Sequence, residues 1–171
     1  MTSLLRRAAA GVVAGVVGTL AMDAWTYRRQ QDDGGPSFRE WEFSSPSSFD
    51  DASAPGEMAQ RVTDLVGVEL PDRSAALATN VMHWLTGVSY GLSHAMFQHD
   101  RGVVAGGLAT GLGAFAGSYT TLGAMGIYQP IWEYDRETLQ QDLVTHLAFG
   151  LATGVAYRLV AGGDDAGDTD G

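Results

Sequence analysis

Four ionisable residues lie within or beside otherwise apolar stretches of the sequence: Asp23, His83, Asp142 and His146. Ionisable groups inside a lipid bilayer cost several kcal/mol unless they are paired or line a wet cavity, so they usually mark functional sites. Asp142 and His146 have i, i+4 spacing, which lets their side chains touch on a helix. Because imidazole titrates near neutral pH, these residues form a candidate site for handling protons or for binding an ion or a small ligand.

The same residues allow other interpretations. Two histidines on facing helices, each followed one turn later by a glycine, fit a bis-histidine haem or a divalent metal at His83 and His146, completed by Asp23 or Asp142. No HExxH motif or dense ligand cluster supports either, so no cofactor is predicted. The interpretation that the sequence favours is plainer: the histidines form hydrogen bonds between helices, and Asp142 lies at the water interface.

The elements that must position these residues are long apolar helices. A membrane-spanning helix needs about 20 apolar residues, and residues 102–125 contain no Asp, Glu, Lys or Arg. The sequence predicts an all-α fold, a membrane four-helix bundle with helices at 4–27, 75–97, 102–125 and 139–161. Residues 1–161 would form one integral membrane domain.

Glycines are concentrated in these segments, where in water each would cost a helix roughly 0.5–1 kcal/mol relative to alanine. In a bilayer, small residues spaced i, i+4 instead let helix backbones approach closely. The sequence therefore predicts a tightly packed bundle, with a homodimer or another membrane protein as a possible partner through an exposed pair. The predicted packing glycines are Gly11, Gly15, Gly87, Gly91, Gly107, Gly111, Gly150 and Gly154.

Two patterns recur and indicate an internal repeat. The residues from Gly11 to Gly15 are repeated letter for letter from Gly102 to Gly106, and His-x3-Gly-x3-Gly occurs from His83 and again from His146. Two related helical hairpins would then pack in parallel around a pseudo-two-fold axis. With about 1.5 Å of rise per residue, the two histidines lie about 12 and 10 Å below the outer ends of their helices, in one polar layer with Asp23, Tyr119 and Asp142.

The segment 28–73 is acidic and rich in Ser and Pro, which is typical of an extramembrane loop. Within residues 56–68 of this loop, apolar residues at helical spacing predict one short amphipathic helix, capped by Ser53 and ended before Pro71. We expect that helix to lie on the bundle or at the interface. Residues 162–171 are predicted to be a disordered acidic tail. The apolar residues at helical spacing are Met58, Val62, Leu65 and Val66.

The formal net charge is −10, which disfavours a nucleic-acid partner. Arg6, Arg7, Arg101 and Arg158 fall at the ends that would share one side, which predicts cytoplasmic N- and C-termini. One alternative is a soluble helical bundle, which the mean hydropathy of −0.02 favours. Another is a cleaved signal peptide, but no small-x-small cleavage site follows the first apolar run. The residues expected to form an aromatic belt on the outer face are Trp25, Tyr27, Tyr128, Trp132 and Tyr134.

Several motifs, taken in order along the chain, resemble small bacterial integral membrane proteins of unknown function, including actinobacterial ones. The resemblance rests on Gly15-x2-Gly18-Thr19, His83-Trp84-x2-Gly87, Pro130-x-Trp132 and Asp142-x3-His146-Leu147. More distantly, the chain resembles the YagU-like inner-membrane proteins. The resemblance implies a multi-pass protein of the bacterial plasma membrane, with the lipid bilayer as its surroundings, and it carries over no catalytic residue.

The sequence contains no cysteine, which excludes thiol catalysis and cysteine-ligated metal centres. It also lacks a glycine-rich nucleotide fingerprint and a nucleophile elbow. We therefore expect a protein that is not an enzyme, foremost a structural or accessory membrane module. The alternative is a small protein that handles protons, ions or a solute through its Asp/His layer.

Overall fold

The computed structural model describes residues 3–31, 35–44 and 46–162, and within these ranges the chain is helical and has no strand. The predicted all-α fold is therefore confirmed for the described residues, and most of the predicted acidic tail lies outside them. Short 3-10 helices occur at Phe49–Asp51, Asp72–Ser74 and Ile131–Glu133. The α-helices are α1 (Ser3–Gln30), α2 (Phe38–Glu42), α3 (Ala54–Leu65), α4 (Ala75–Phe97), α5 (Val103–Ala124) and α6 (Arg136–Gly162).

Glycines end two of the helices because they adopt backbone angles that other residues rarely adopt. Gly126 follows α5 with φ +69°, and the N–H of Ile127 then donates to the carbonyl of Leu122 at 2.9 Å. Gly67 follows α3 in the same way with φ 75°. Both are Schellman motifs, which satisfy the last carbonyl groups of a helix and turn the chain away.

Helices α1 and α4 are antiparallel and meet at glycines with almost no intervening side chain. A methyl group placed on Gly15 would lie 2.6 Å from the carbonyl oxygen of Gly87, and one placed on Gly91 would lie 2.6 Å from the Cα atom of Gly15. A methyl group on Gly11 would lie 2.9 Å from the carbonyl oxygen of Gly91. The two backbones are thus in direct contact, which only glycine permits.

Helices α5 and α6 meet in a matching way. A methyl group on Gly107 would lie 2.9 Å from the carbonyl oxygen of Gly150, and one on Gly111 would lie 2.6 Å from the carbonyl oxygen of His146. On the opposite helix, a methyl group on Gly154 would lie 3.3 Å from the Cα atom of Gly107, as one on Gly91 would lie close to that of Gly15. All the predicted packing glycines therefore lie at these two helix crossings.

The two helix pairs are joined along α1 and α6, which pack closely, so that the order of neighbours is α4, α1, α6, α5. Gly18 of α1 lies against Phe149 and Thr153 of α6. Thr153 is fully buried and donates its hydroxyl to the carbonyl of Phe149 at 2.8 Å. In contrast, α4 and α5 make few contacts, and Tyr90 extends across the space between them to Gly117.

The loop after α1 packs back on the helices through α3, which contacts α4. Gly56 and Ala59 form the buried face of α3, and Gly56 lies directly against the hydroxyl of Thr79. Leu65 and Val66, at the end of this helix, are 84% and 73% exposed. Small residues, not the large apolar ones, therefore form the contact of α3 with α4.

The side chains are distributed in an unusual way between the interior and the surface. The largest fully buried side chains are Thr19 and Thr153, and the buried residues of the long helices are mostly Gly, Ala and Thr. Large apolar side chains point outward from all four long helices. Examples are Val13, Leu20, Leu77, Leu85, Val104, Leu112, Val155 and Leu159.

Two helices of the described chain, α1 and α6, are long and apolar enough to cross a membrane. This finding is weak evidence by itself, since core helices of soluble proteins and signal sequences have similar length and composition. Helices α4 and α5 have 23 and 22 residues. Neither of them contains Asp, Glu, Lys or Arg.

The contact between α1 and α4 can be tested by adding one methyl group. We expect Gly91→Ala to lower the free energy of unfolding by about 1–3 kcal/mol, because the methyl group has no space between the two backbones. The matched control is Gly113→Ala on α5, where nothing lies within 4 Å of the added atom. That control should be neutral or stabilising by up to about 1 kcal/mol. Thermal unfolding of the purified variants measures both, and equal effects would contradict the proposed contact.

Candidate functional site

The first cluster of polar side chains joins α1 to α4. The Nε2 atom of His83 lies 3.1 and 3.0 Å from the two carboxylate oxygens of Asp23. Asp23 is only 6% exposed, so the pair is shielded from solvent on the α1 side. The glycine crossing positions the two residues, because it brings α1 and α4 close enough for their side chains to meet one to two turns further along.

Glu42, at the end of α2, is the third member of this cluster. One ligand atom from each of Asp23, Glu42 and His83 can be chosen so that all three lie within 4.8 Å of one another. Burial and the negative charge of Asp23 raise the pKa of Glu42 from its ordinary value to about 7. The cluster thus combines a buried carboxylate, a carboxylate that ionises with difficulty and an imidazole.

Local interactions hold Glu42 in place. Helix α2 begins with a capping box, in which the Ser37 side chain accepts from the Glu40 backbone and the Glu40 side chain accepts from the Ser37 backbone. Its aromatic residues Phe38 and Trp41 pack on Tyr27 of α1, with ring centroids 5.4 and 5.7 Å away. This short helix is therefore fixed to the end of α1, with Glu42 beside Asp23.

The second histidine has different partners. The Nε2 atom of His146 is 3.3 Å from the hydroxyl of Ser118, and its Nδ1 atom is 2.7 Å from the backbone carbonyl of Asp142. The ring of Phe115 packs against the imidazole at 5.8 Å. His146 thus faces an aromatic ring and a hydroxyl, whereas His83 faces a carboxylate.

The carboxylate of Asp142 accepts a hydrogen bond from the hydroxyl of Tyr119 at 2.6 Å. The rings of Tyr128 and Tyr134 each lie 5.3 Å from that of Tyr119, so the bond belongs to an aromatic cluster. Burial, and then the charge of Asp142, raise the pKa of Tyr128. Tyr119 thus engages the carboxylate of Asp142, whereas His146 contacts the backbone carbonyl of that residue.

A cavity of about 280 Å³ lies where α4 and α5 diverge. Both His83 and His146 line it, and its surface is mainly apolar. Residues of α3 cover part of it, among them Pro55 and Met58. The cavity therefore combines apolar walls with two imidazole groups, which suits a small, mostly apolar molecule that can also form hydrogen bonds.

A third histidine, His94, occupies a place that the sequence did not indicate. It lies in the last turn of α4 and is only 3% exposed. Its Nδ1 atom is 2.7 Å from the hydroxyl of Thr110, and its ring contacts that of Tyr157 at 5.3 Å. These contacts of His94 are buried because α4 and α5 are closest near the turn that joins them. His94 thus connects α4, α5 and α6.

The structure brings Asp23 and His83 together, and also Tyr119 and Asp142, but it divides the expected single layer between the two helix pairs. Sequence reasoning missed Glu42 altogether. One sequence pattern indicates the short helix that carries Glu42. Ser37-x2-Glu40 is a capping box, and it starts a helix with two aromatic residues. Searches against protein-family models, curated proteins and solved structures found no match.

The bond between Tyr119 and Asp142 can be measured with a double-mutant cycle. We expect Tyr119→Phe and Asp142→Ala, each of which removes one partner of the bond, to show a coupling energy of about 1–2 kcal/mol, as for a hydrogen bond to a charged group. Tyr128→Phe is the control, because its ring also contacts Tyr119 while its hydroxyl has no bond to Asp142. A coupling near zero, measured by thermal unfolding, would show that the bond adds no stability.

Proposed function

We propose that this protein is a multi-pass plasma-membrane protein, in which α1, α4, α5 and α6 all span the bilayer. The inverted distribution of side chains supports the proposal, since large apolar groups face outward and Gly, Ala and Thr fill the interior. In the most apolar parts of α1 and α6, only 39% and 33% of the residues are buried. A core helix of a soluble protein would bury most of its apolar residues.

The shorter helices α4 and α5 fit the same role. Each is long enough to cross a hydrocarbon core about 30 Å thick. Because neither helix contains Asp, Glu, Lys or Arg, neither would place a formal charge in the lipid. Their many small and polar residues lower the mean hydropathy, but these residues lie mostly at helix contacts. Gly87 and Gly91 of α4 are buried, as are Gly107 and Gly111 of α5.

The matching glycine contacts support an internal repeat of two helical hairpins. Gly15 meets the carbonyl of Gly87 as Gly107 meets that of Gly150, so α1 corresponds to α5 and α4 to α6. The repeated five-residue motif in the sequence differs from this correspondence by one residue, since it pairs Gly15 with Gly106 and not with Gly107. The proposed repeat therefore rests on backbone contacts and on the His-x3-Gly-x3-Gly pattern, not on the first motif.

The same correspondence accounts for the cavity. Tyr90 stands as many residues after Gly87 as Thr153 stands after Gly150. Thr153 is small enough for α1 and α6 to pack closely, whereas Tyr90 separates α4 from α5. In a two-fold symmetric bundle, α4 and α5 would pack as closely as α1 and α6 do. Tyr90 keeps α4 and α5 apart, and this separation leaves the cavity.

From this cavity we propose that the protein is a non-enzymatic membrane module that binds a small, mainly apolar solute. Of the two hypotheses from the sequence, the cavity favours solute handling over a purely structural role. Both remain compatible with the resemblance to small bacterial inner-membrane proteins and with cytoplasmic termini. The predicted packing glycines make contacts within the chain, so a homodimer would have to use another surface.

The number of spans can be tested by labelling single cysteines, since the chain has none of its own. Glu69 lies before α4 and Arg101 lies after it, and both are exposed. With four spans, a membrane-impermeant maleimide should label Glu69→Cys in right-side-out vesicles but Arg101→Cys only in inverted vesicles. If α1 and α6 alone cross the membrane, both positions will be labelled from the same side. Release of the protein by carbonate washing would contradict membrane insertion altogether.

Solute binding can be tested with phenol, which is small, mainly apolar and carries one hydroxyl. At ten times its dissociation constant, a bound ligand stabilises the folded protein by about 1.4 kcal/mol. We therefore expect phenol to raise the melting temperature of the detergent-solubilised protein, with a rise that follows the logarithm of the phenol concentration above the dissociation constant. Ala114→Leu should abolish the effect, because Ala114 is buried and lines the cavity.

Gly113→Leu is the matched control, since it adds the same side chain where nothing lies within 4 Å. It should respond to phenol as the unaltered chain does. An equal response in all three proteins would mean that phenol acts on the detergent, and it would contradict binding in the cavity.

A further inference from the structure

The cluster formed by α1, α2 and α4 has the ligand set of a metal site. Its imidazole nitrogen and its two carboxylates come from three separate helices and converge within 4.8 Å. Zinc sites with an open position use three protein ligands of these types, completed by water. Convergence from separate elements distinguishes this cluster from acidic residues that are merely close in sequence.

We propose that His83, Asp23 and Glu42 bind a divalent transition-metal cation such as Zn²⁺. The His83 Nε2 atom and one oxygen from each carboxylate are the ligands, and the remaining coordination positions face an adjoining pocket of about 230 Å³. This site is distinct from the proposed solute site, although His83 lines the edge of both spaces.

The charges of the cluster support a cation. Asp23 is buried, and a buried carboxylate needs a compensating partner. Within the described part of the chain, no arginine pairs with Asp23 or Glu42, and their charged neighbours are each other and His83. A divalent cation placed among the three ligand atoms would lie against both carboxylates and balance the charge of both.

A second observation comes from the residues around the cluster. The hydroxyl oxygen of Thr79 is buried and has no hydrogen-bond partner, yet Thr79 lines the same pocket as the three ligands. Buried polar groups are nearly always hydrogen-bonded. A metal-bound water in this pocket would give the hydroxyl a partner, as outer-shell groups commonly do in metal sites.

The second helix pair provides an internal comparison. Counted from the matched glycines, Phe115 corresponds to Asp23 and His146 to His83. His146 therefore contacts an aromatic ring where His83 contacts a carboxylate. The connection between α5 and α6 is also short and has no counterpart of α2. The metal site is thus expected only in the first pair, where the long loop supplies Glu42.

The test uses the full chain in detergent, without a histidine tag, after removal of metals with EDTA. Titration with ZnCl₂ against a chromophoric chelator should show one zinc ion bound per chain. We expect Glu42→Gln and Asp23→Asn each to weaken zinc binding at least tenfold, since each removes one ligand. Zinc should also raise the melting temperature of the unaltered chain more than that of these variants at the same zinc concentration.

Two controls separate this site from nonspecific binding. Glu40→Gln lies in the same helix and keeps the capping box, because glutamine also serves at that position. His146→Ala removes the corresponding histidine of the second pair. Both should bind zinc as the unaltered chain does.

Failure of the unaltered chain to bind zinc at micromolar concentration would overturn the proposal. So would a loss of affinity in Glu40→Gln as large as that in Glu42→Gln. Melting temperatures recorded in EDTA show that each variant is folded, so a loss of binding cannot be attributed to unfolding. The result does not depend on phenol binding, so failure of one proposal leaves the other to its own test.

Discussion

The close approach of helix backbones at glycines is the constraint on which the rest of this structure depends. In the bilayer that we propose as the surroundings of this chain, lipid tails are as apolar as leucine, so helices gain little from burying large apolar side chains against each other. Direct backbone contact replaces that gain, and it occurs at Gly15 with Gly87 and at Gly107 with Gly150. One added methyl group at such a contact must move a whole helix. The glycines therefore fix both the distance and the register of each pair.

Once the register is fixed, each polar side chain can reach only a few others. Asp23 meets His83 because it lies beyond the crossing on α1, while Phe115 takes the corresponding place beside His146. The two helix pairs therefore have similar backbones but different groups beside the histidine, a carboxylate in the first pair and an aromatic ring in the second. The same framework also shows why a single bulky residue matters. Tyr90 stands where the other pair has Thr153, and the space beside it is a cavity lined by both histidines.

The segment between α1 and α4 contributes functional groups and also covers part of the helix bundle. Its first short helix is held by a capping box and by aromatic contacts with Tyr27, and these local interactions place Glu42 beside a buried aspartate. Its second helix packs on α4 through Gly56 and covers part of the cavity. A loop that looked like a solvated connection thus completes one proposed site and borders another. Small residues again permit the contact, as they do between the long helices.

The sequence by itself determined the positions of the long helices and the glycines at which they meet, because both depend on local composition and on helical periodicity. It also indicated that Asp23, His83, Tyr119, Asp142 and His146 share one polar layer, since hairpin geometry places them at a similar depth, but it did not indicate which of them are partners. Only the tertiary structure decided that Tyr119, not His146, engages the carboxylate of Asp142, and that His94 is buried. Those outcomes depend on how each helix is rotated about its axis, which spacing along one chain does not specify. Glu42 required the fold for a further reason: its neighbours lie on helices far away in sequence, and only the docking of α2 brings it to them.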